Sequence, residues 1–119
     1  MPHIYGYGRV STELQGLSLD TQKQQIEQYL KFRMQPGGDL AGHTYAGFHS
    51  DMASAVKLGF SERETGSWIS AVLQPSDIIV TSHYDRMIRN NRTLTAFLDL
   101  LKEKEASWIA MDTNIDSST

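Results

Sequence analysis

Four consecutive apolar or β-branched residues, Ile78-Ile79-Val80-Thr81, form the segment that most limits how this chain can fold. A short continuous apolar run, bounded by turn-forming and polar residues, is typical of a strand buried on both faces of a parallel sheet. Parallel strands need long crossover connections, and helical patterns between the strand-like segments supply them. The order of segments therefore predicts an α/β fold of three layers, with helices on both faces of a mostly parallel sheet of four to five strands.

The remaining elements follow from the spacing of apolar residues. We predict further strands at residues 3–10, 43–49 and 108–111, and helices at residues 19–34, from residues 61–64 onward, and at residues 93–105. The predicted inward faces of these helices include Phe32, Trp68 and Leu98, respectively. Residues 50–55 are predicted to be a loop. No repeat or internal boundary interrupts the pattern, so residues 1–119 should form one domain.

Composition narrows the class of protein. The chain has 119 residues, enough for one hydrophobic core, and 39% of them are hydrophobic. No stretch approaches the ~20 apolar residues of a membrane span. The chain has no cysteine, which excludes disulfides and thiolate metal sites and, with no signal sequence apparent, leads us to expect a cytoplasmic protein. With a formal net charge of −3, a DNA-acting protein would need additional basic surface from another segment.

The first predicted strand leads to a candidate nucleophile. It ends in Arg9-Val10-Ser11, which places a guanidinium and a hydroxyl where the chain turns at the carboxyl end of a strand. Ligands bind at that edge in open α/β sheets. A serine that attacks a phosphate needs positive charge near the developing negative charge, and Arg9 can supply it. A polar strand end without any function would have the same local sequence.

A second cluster follows the third predicted strand. If residues 85–89 are helical, Arg86 and Arg89 share one face and Asp85 is the N-cap. The first and third strands of doubly wound sheets are often adjacent, so this cluster and Ser11 should meet at one crevice. A hydroxyl surrounded by arginines suits phosphoryl transfer. Surface arginines that pair with carboxylates are the alternative.

Other polar residues leave two interpretations open. Gln22 lies on the apolar face of the first helix, where it either hydrogen-bonds at the edge of the core or points toward the Ser11 loop. Asp51 and Ser54 place a carboxylate and a hydroxyl three residues apart in the predicted loop. Loops carry function more often than cores do, but an ordinary turn has the same residues.

Five segments, in order and with compatible spacing, resemble the amino-terminal catalytic domain of the serine recombinases, the resolvase and invertase family. Residues 7–15 resemble its nucleophile motif, with Ser11 at the attacking position. Residues 18–22 resemble the next block, which favours a site-facing Gln22. Asp51, Ser54 and Arg63 fall where the family has an Asp-x-x-Ser-Gly loop and an arginine that opens the following helix. Residues 85–89 resemble its Asp-Arg-Leu-x-Arg motif, and residues 115–119 the segment before its long helix.

The resemblance implies a site-specific DNA recombinase that cleaves and rejoins strands without a metal or other cofactor. Ser11 would attack a DNA phosphodiester and form a covalent 5′-phosphoserine intermediate. Arg9, Arg86 and Arg89 would stabilise the negatively charged phosphorus. Arg63 would assist them, and Asp85 would orient these groups or help move a proton to the leaving oxygen. The supporting residues of the site would be Tyr7, Gln22, Asp51 and Ser54.

The resemblance also implies partners and an alternative. Family members are bacterial or phage-encoded and act on DNA as dimers that pair into synaptic tetramers. The long dimerisation helix and the DNA-binding domain are absent from this chain, so we expect it to be a catalytic part of a longer protein and to bind DNA poorly alone. A non-catalytic regulatory or interaction domain of the same fold is the main alternative. A receiver-type signalling domain would need clustered acidic residues after the first strand, where this chain has Arg9 and Ser11.

Overall fold

The alternation of strands and helices predicted from the sequence is present in the computed structural model, which describes residues 2–10, 19–52, 64–82, 91–111 and 115–116. In chain order the elements are β1 (His3–Val10), α1 (Leu19–Arg33), β2 (Thr44–Met52), α2 (Glu64–Val72), β3 (Ile78–Thr81), α3 (Asn91–Lys104), β4 (Ser107–Ala110) and β5 (Ile115–Asp116). No helix in these ranges is long and apolar enough to cross a membrane.

The strands form one sheet in the order β2-β1-β3-β4-β5. β1 pairs in parallel with both β2 and β3, β3 pairs in parallel with β4, and β5 runs antiparallel to β4. The predicted adjacency of the first and third strands is confirmed, because Ile4 pairs with Ile78 and Gly6 with Val80. All four residues of β3 are buried, as its continuous apolar sequence predicts.

Two apolar cores, one on each face of the sheet, give the predicted three layers. Alternate residues of each strand point to opposite faces, so one strand contributes to both cores. The first core joins the sheet to α2 and α3 through Tyr5, Tyr7, Ile69, Leu73, Ile79, Phe97, Leu101, Trp108 and Ala110. The second joins the sheet to α1 and the turn after it through Ile4, Ile26, Leu30, Leu40, Ile78, Val80 and Ile109. Helices therefore cover both faces of the sheet.

A buried carboxylate, that of Asp77, fastens the amino-terminal edge of the sheet. It accepts hydrogen bonds from the backbone N–H groups of His3, at the start of β1, and Gln74, after α2, at 2.8 and 2.9 Å. The Asp77 carbonyl accepts a further bond from Ser107 N–H at the start of β4. These bonds hold the starts of three neighbouring strands together, so the opposite, carboxyl edge is where the chain connections can build a site.

Three predicted inward-facing side chains are exposed instead: Phe32 by 75%, Trp68 by 49% and Leu98 by 43%. The reason is helical geometry, since successive residues are about 100° apart around the axis. Phe32 lies two residues beyond buried Leu30, while Trp68 and Leu98 each lie one residue from a buried neighbour. An apolar residue at such an offset falls beside the stripe that packs on the sheet.

The second strand is longer than predicted. β2 extends through Met52, so Asp51 belongs to a strand and the prediction of a loop at this position was wrong. The segment from Gly47 to Asp51 contains glycine, serine and aspartate, which are uncommon in strands, and this obscured its conformation. Pairing with β1 extends the strand, because Gly8, Arg9 and Val10 each have a partner in β2.

Candidate active site

Three connections leave the sheet at the same edge. β1, β2 and β3 are adjacent and parallel, and they end at Val10, Met52 and Thr81. The chain continues from these ends into residues 11–18, 53–63 and 83–90, which lie outside the described residues. Six of the ten predicted site residues belong to these segments: Ser11, Ser54, Arg63, Asp85, Arg86 and Arg89. The other four, Tyr7, Arg9, Gln22 and Asp51, are described.

The edge also contains the switch point of the sheet. After β1 the chain passes to α1 on one face, and α3, which follows β3, lies on the other face. Where neighbouring strands send their connections to opposite faces, a crevice opens between them, and open α/β sheets bind ligands there. Ser11 directly follows β1, and residues 85–89 come shortly after β3. The carboxyl ends of β1 and β3 therefore both lie at this crevice, and the two predicted clusters follow them in sequence.

Arg9 is the next-to-last residue of β1 and is only 2% exposed. A guanidinium remains charged at any physiological pH, so β1 holds a permanent positive charge inside the protein, two residues before Ser11. Strand alternation puts Arg9 on the same face as Tyr5 and Tyr7, the face covered by α2 and α3. Buried charge of this kind acts strongly on nearby groups because water does not screen it.

The side chain of Gln22 holds the backbone of Arg9. Its Oε1 accepts a hydrogen bond from Arg9 N–H, and its Nε2 donates one to the Arg9 carbonyl, both at 3.1 Å. The pairing of β1 with β3 ends at Gly6, so the glutamine amide gives Arg9 the donor and acceptor that a neighbouring strand would give. Gln22 is fully buried at the edge of the core, as one of the two interpretations of the sequence expected. Its amide binds the backbone of Arg9, in the strand that precedes Ser11 in sequence.

Gly8 makes room for this contact. A Cβ atom at residue 8 would lie 2.8 Å from Gln22 Oε1 and 2.4 Å from Phe48 Cζ. Both separations are shorter than van der Waals contact, and the phenyl ring is packed in the core on the α1 face. The absence of a side chain at residue 8 therefore lets α1 approach β1 closely enough for Gln22 to reach Arg9.

Asp51 is buried, 8% exposed, and accepts three hydrogen bonds. Its Oδ2 accepts from Tyr7 Oη–H at 2.8 Å and from Gly66 N–H at 2.9 Å, and its Oδ1 accepts from Thr65 N–H at 2.8 Å. Thr65 and Gly66 lie in the first turn of α2, where backbone N–H groups have no partner within the helix. Asp51 thus joins three elements: β2, which carries it, β1 through Tyr7, and the start of α2.

A bulge in β2 puts Asp51 on the face that this contact requires. Ile4 pairs with Tyr45 but Gly6 pairs with Phe48, so β2 has one extra residue, accommodated at Gly47 with a φ of +97°. Side chains alternate along a strand, so one extra residue reverses the alternation. Tyr45 and Phe48 both pack on the α1 side, and Asp51 points to the α2 side. Without the bulge, Asp51 would face away from Tyr7 and α2.

Sequence reasoning selected Tyr7, Arg9, Gln22 and Asp51 but missed how they are connected. Four of the hydrogen bonds join a side chain to a backbone group 13 to 15 residues away, and such bonds have no sequence signature. The glycines at residues 8 and 47 were the only local signal. Among the described residues, no three side chains of histidine, cysteine, aspartate or glutamate come together as metal ligands would.

Comparisons with known proteins agree with this architecture. The computed structure resembles the N-terminal catalytic domain of TP901-1 integrase, with a TM-score of 0.71, 23% identity, and coverage of 98% of this chain and 82% of that one. It also resembles a resolvase family site-specific recombinase from Streptococcus pneumoniae, with a TM-score of 0.71 and 21% identity. That match covers 100% of this chain and 78% of the recombinase. The third similar structure is the C-terminal catalytic domain of ISC1926 TnpA, an IS607-like serine recombinase. The TM-score is 0.61 and the sequence identity 16%, and the match covers 92% of this chain and 67% of that one.

At these identities the three structures show a shared fold. No curated protein matches the chain. The family model for the N-terminal domain of resolvases matches residues 4–119, which is nearly the whole chain, and confirms the family predicted from the sequence motifs. The chain therefore belongs to the resolvase N-terminal domain family.

Proposed function

We propose that this chain is the catalytic domain of a site-specific serine recombinase, which cleaves and rejoins DNA through a covalent phosphoserine. One observation carries the proposal: β1, β2 and β3 end at one edge of the sheet and lead into the three segments that contain the nucleophile motif and the arginine motifs. Membership of the resolvase family supports the assignment of these motifs. The recombinases among the structural neighbours are consistent with it.

In the proposed reaction, Ser11 Oγ attacks a DNA phosphorus and forms a bond to it. The bond from phosphorus to the 3′ oxygen breaks, and the 5′ phosphate remains on the serine. A base removes the serine proton, and the leaving 3′ oxygen gains a proton that Asp85 helps to deliver or orient. One phosphodiester replaces another, so the step needs no external energy source and is reversed when a 3′ hydroxyl attacks the phosphoserine.

The arginines stabilise the transition state in this proposal. Negative charge accumulates on the phosphoryl oxygens as the serine attacks, and fixed cations lower the energy of that state. Arg9 is buried two residues before Ser11 in sequence, and Gln22 holds its backbone. Arg86 and Arg89 contribute further charge from the segment after β3, and Arg63 contributes from the segment before α2.

The active form in this proposal is larger than one chain of 119 residues. A long helix and a DNA-binding domain would make dimers that pair into tetramers on two DNA sites. The formal net charge of −3 favours a separate DNA-binding domain, because a negatively charged domain gains little from attraction to DNA phosphates. We place the protein in the cytoplasm, where it reaches chromosomal or phage DNA.

The test is whether Ser11 becomes covalently linked to DNA. The full-length protein would be incubated with fragmented genomic DNA from its source organism, and the adduct digested and located by peptide mass spectrometry. We expect a nucleotide phosphate on Ser11 in the wild type and none in Ser11→Ala. Ser67→Ala, which changes an exposed serine on α2, is the control and should behave as the wild type.

Two results would contradict the proposal. An adduct that persists in Ser11→Ala would assign the nucleophile to another residue. A folded wild-type protein that forms no adduct while it still associates with a recombinase would favour the regulatory or interaction domain instead.

A further inference from the structure

The Asp51 carboxylate links the strand that leads to the nucleophile with the helix that follows Arg63. We propose that Asp51 is a positioning residue: it fixes where α2 begins, immediately after Arg63 in sequence, and influences the reaction of Ser11 through Arg63. This inference rests on the proposed function, because it assigns a task to a residue that would not touch DNA. The contacts of Asp51 on both sides carry it.

On the helix side, the Asp51 carboxylate accepts hydrogen bonds from the backbone N–H groups of Thr65 and Gly66, with N···O distances of 2.8 and 2.9 Å. A carboxylate at a helix amino terminus satisfies orphan donors and interacts favourably with the positive end of the helix dipole. The α2 start is thus fixed by a residue in a neighbouring strand, 14 residues earlier in sequence than Thr65. Arg63 directly precedes Glu64, the first described residue of α2, which makes Arg63 the predicted site residue through which Asp51 would act.

On the strand side, the same carboxylate accepts a hydrogen bond from the Tyr7 hydroxyl at 2.8 Å. Tyr7 is fully buried and lies in β1 two residues before Arg9. Arg9 and Asp51 are also register partners in the paired strands. The start of α2 is therefore tied to β1 next to the end from which Ser11 follows.

These contacts distinguish positioning from proton transfer. Both carboxylate oxygens of Asp51 already accept hydrogen bonds from protein donors, and the side chain is 8% exposed. A general base would have to accept a proton from the reacting groups, which requires contact with them. A positioning residue needs only its protein contacts, and its effect on rate must pass through the residue that it positions.

That dependence gives a measurable signature in full-length protein. Asp51→Ala should slow adduct formation about 10- to 100-fold, because an ångström-scale displacement of a catalytic group costs this much. In an Arg63→Ala background, the same change should slow the reaction by less than about twofold, since coupled residues are not additive. Asp51→Asn keeps one acceptor oxygen and should react at a rate between those of the wild type and Asp51→Ala, whereas a proton-transfer role would give no such recovery.

A matched control is Asp77, a second buried aspartate among the described residues that binds backbone donors. Asp77 accepts two N–H bonds at the amino edge of the sheet, away from the candidate site. Asp77→Asn should lower the unfolding temperature but leave the rate of adduct formation unchanged at temperatures where the protein is folded. Hydrogen exchange supplies a readout that needs no DNA: in Asp51→Ala the Thr65 and Gly66 amides should exchange faster, while Val80 in the central strand should not change.

The outcomes separate this inference from the proposed function. No adduct from the folded wild type overturns both. An adduct on Ser11 together with additive effects of the Asp51 and Arg63 changes overturns the inference alone, as does unchanged exchange at Thr65 and Gly66. A loss of rate in Asp51→Ala that disappears in the Arg63→Ala background, with Asp77→Asn unaffected, supports it.

Discussion

At the scale of single residues, the candidate site depends on side chains that bind backbone. Gln22 pairs with the N–H and carbonyl groups of Arg9, and Asp51 pairs with the amides that begin α2. A side chain that binds backbone fixes the path of the chain and not only the position of another side chain. Gln22 therefore fixes the backbone near the end of β1, and Asp51 fixes the start of α2, so both support positions from which the predicted site segments extend.

Gln22→Ala should lower both stability and activity. Removing two buried hydrogen bonds should decrease the free energy of unfolding by about 2 kcal/mol, which urea denaturation would measure. Adduct formation should also slow, because the strand end before Ser11 loses its support. Gln24→Ala, at an exposed position on the same helix, should stay within about 0.5 kcal/mol of the wild type. Equal stabilities of the two variants would contradict the role of Gln22.

At the scale of elements, the bulge in β2 decides which face of the sheet each later side chain occupies. Before Gly47, odd-numbered Tyr45 points to α1, and after it odd-numbered Asp51 points to α2. A strand of the same composition without the extra residue would put the carboxylate in the wrong core. The irregularity of β2 thus decides which face receives Asp51, and bulges are over-represented next to active sites.

Gly47→Ala tests the bulge. Gly47 has a φ of +97°, where an L-residue is strained, so we expect a loss of about 1–2 kcal/mol of unfolding free energy. The surroundings are open, since the nearest atom to a Cβ there is 3.8 Å away, and the cost is therefore conformational. Gly42→Ala is the control, because a Cβ at that position meets no atom within 4 Å and its φ is not positive. A loss of the same size at both positions would argue against strain at the bulge.

The contact between α1 and β2 should give a pH dependence. Burial, with the hydrogen bond that Tyr45 donates to Glu27, raises the pKa of the Tyr45 phenol above its usual value of 10.0. A raised pKa in the folded state means that the contribution of this group is fully present below pH 10.0 and is lost as pH rises toward the folded-state pKa.

Tyr45→Phe isolates that contribution. At pH 7 the variant should be about 1 kcal/mol less stable than the wild type, because one hydrogen bond is missing. Above the usual tyrosine pKa the difference should shrink as the wild type alone loses this contribution. Urea denaturation of both proteins from pH 7 to 11 would measure the difference, and a constant gap would contradict the assignment.

At the scale of the whole molecule, the candidate site lies at one edge of the sheet in a small acidic domain. Asp77 fastens the amino edge of the sheet, and the connections after β1, β2 and β3 all start at the carboxyl edge. Open α/β sheets bind ligands at the carboxyl edge, which is where the candidate site lies in this chain. The candidate site has a buried cation in Arg9, while the domain as a whole has a net charge of −3.

This charge distribution predicts weak DNA binding by the 119-residue chain alone. We expect a dissociation constant above ~10⁻⁴ M, weaker than usual non-specific binding, for a fluorescent 40-base-pair duplex at physiological salt. Fluorescence anisotropy would measure it. Micromolar binding that weakens steeply with added salt would contradict the expectation and would place a DNA-contacting basic surface within this chain.

The sequence by itself determined the class of fold, the order of its elements and the family. These follow from local patterns: the apolar run of residues 78–81 between two helical patterns is typical of a doubly buried strand, and the family's motifs are short segments with characteristic spacing. The adjacency of β1 and β3 also followed, because the connection rules of α/β sheets leave few alternatives. The predicted catalytic roles remain predictions.

Only the tertiary structure decided how the described site residues are held. That Asp51 lies in a strand, that the bulge at Gly47 turns it toward α2, and that Gln22 pairs with the Arg9 backbone all depend on contacts between segments distant in sequence. Local propensity is weak at these positions, because glycine, serine and aspartate are as compatible with a loop as with a strand. The free energy that selects the strand comes from pairing with β1 and from satisfying the buried donors of α2, and neither exists until the sheet and helix are assembled.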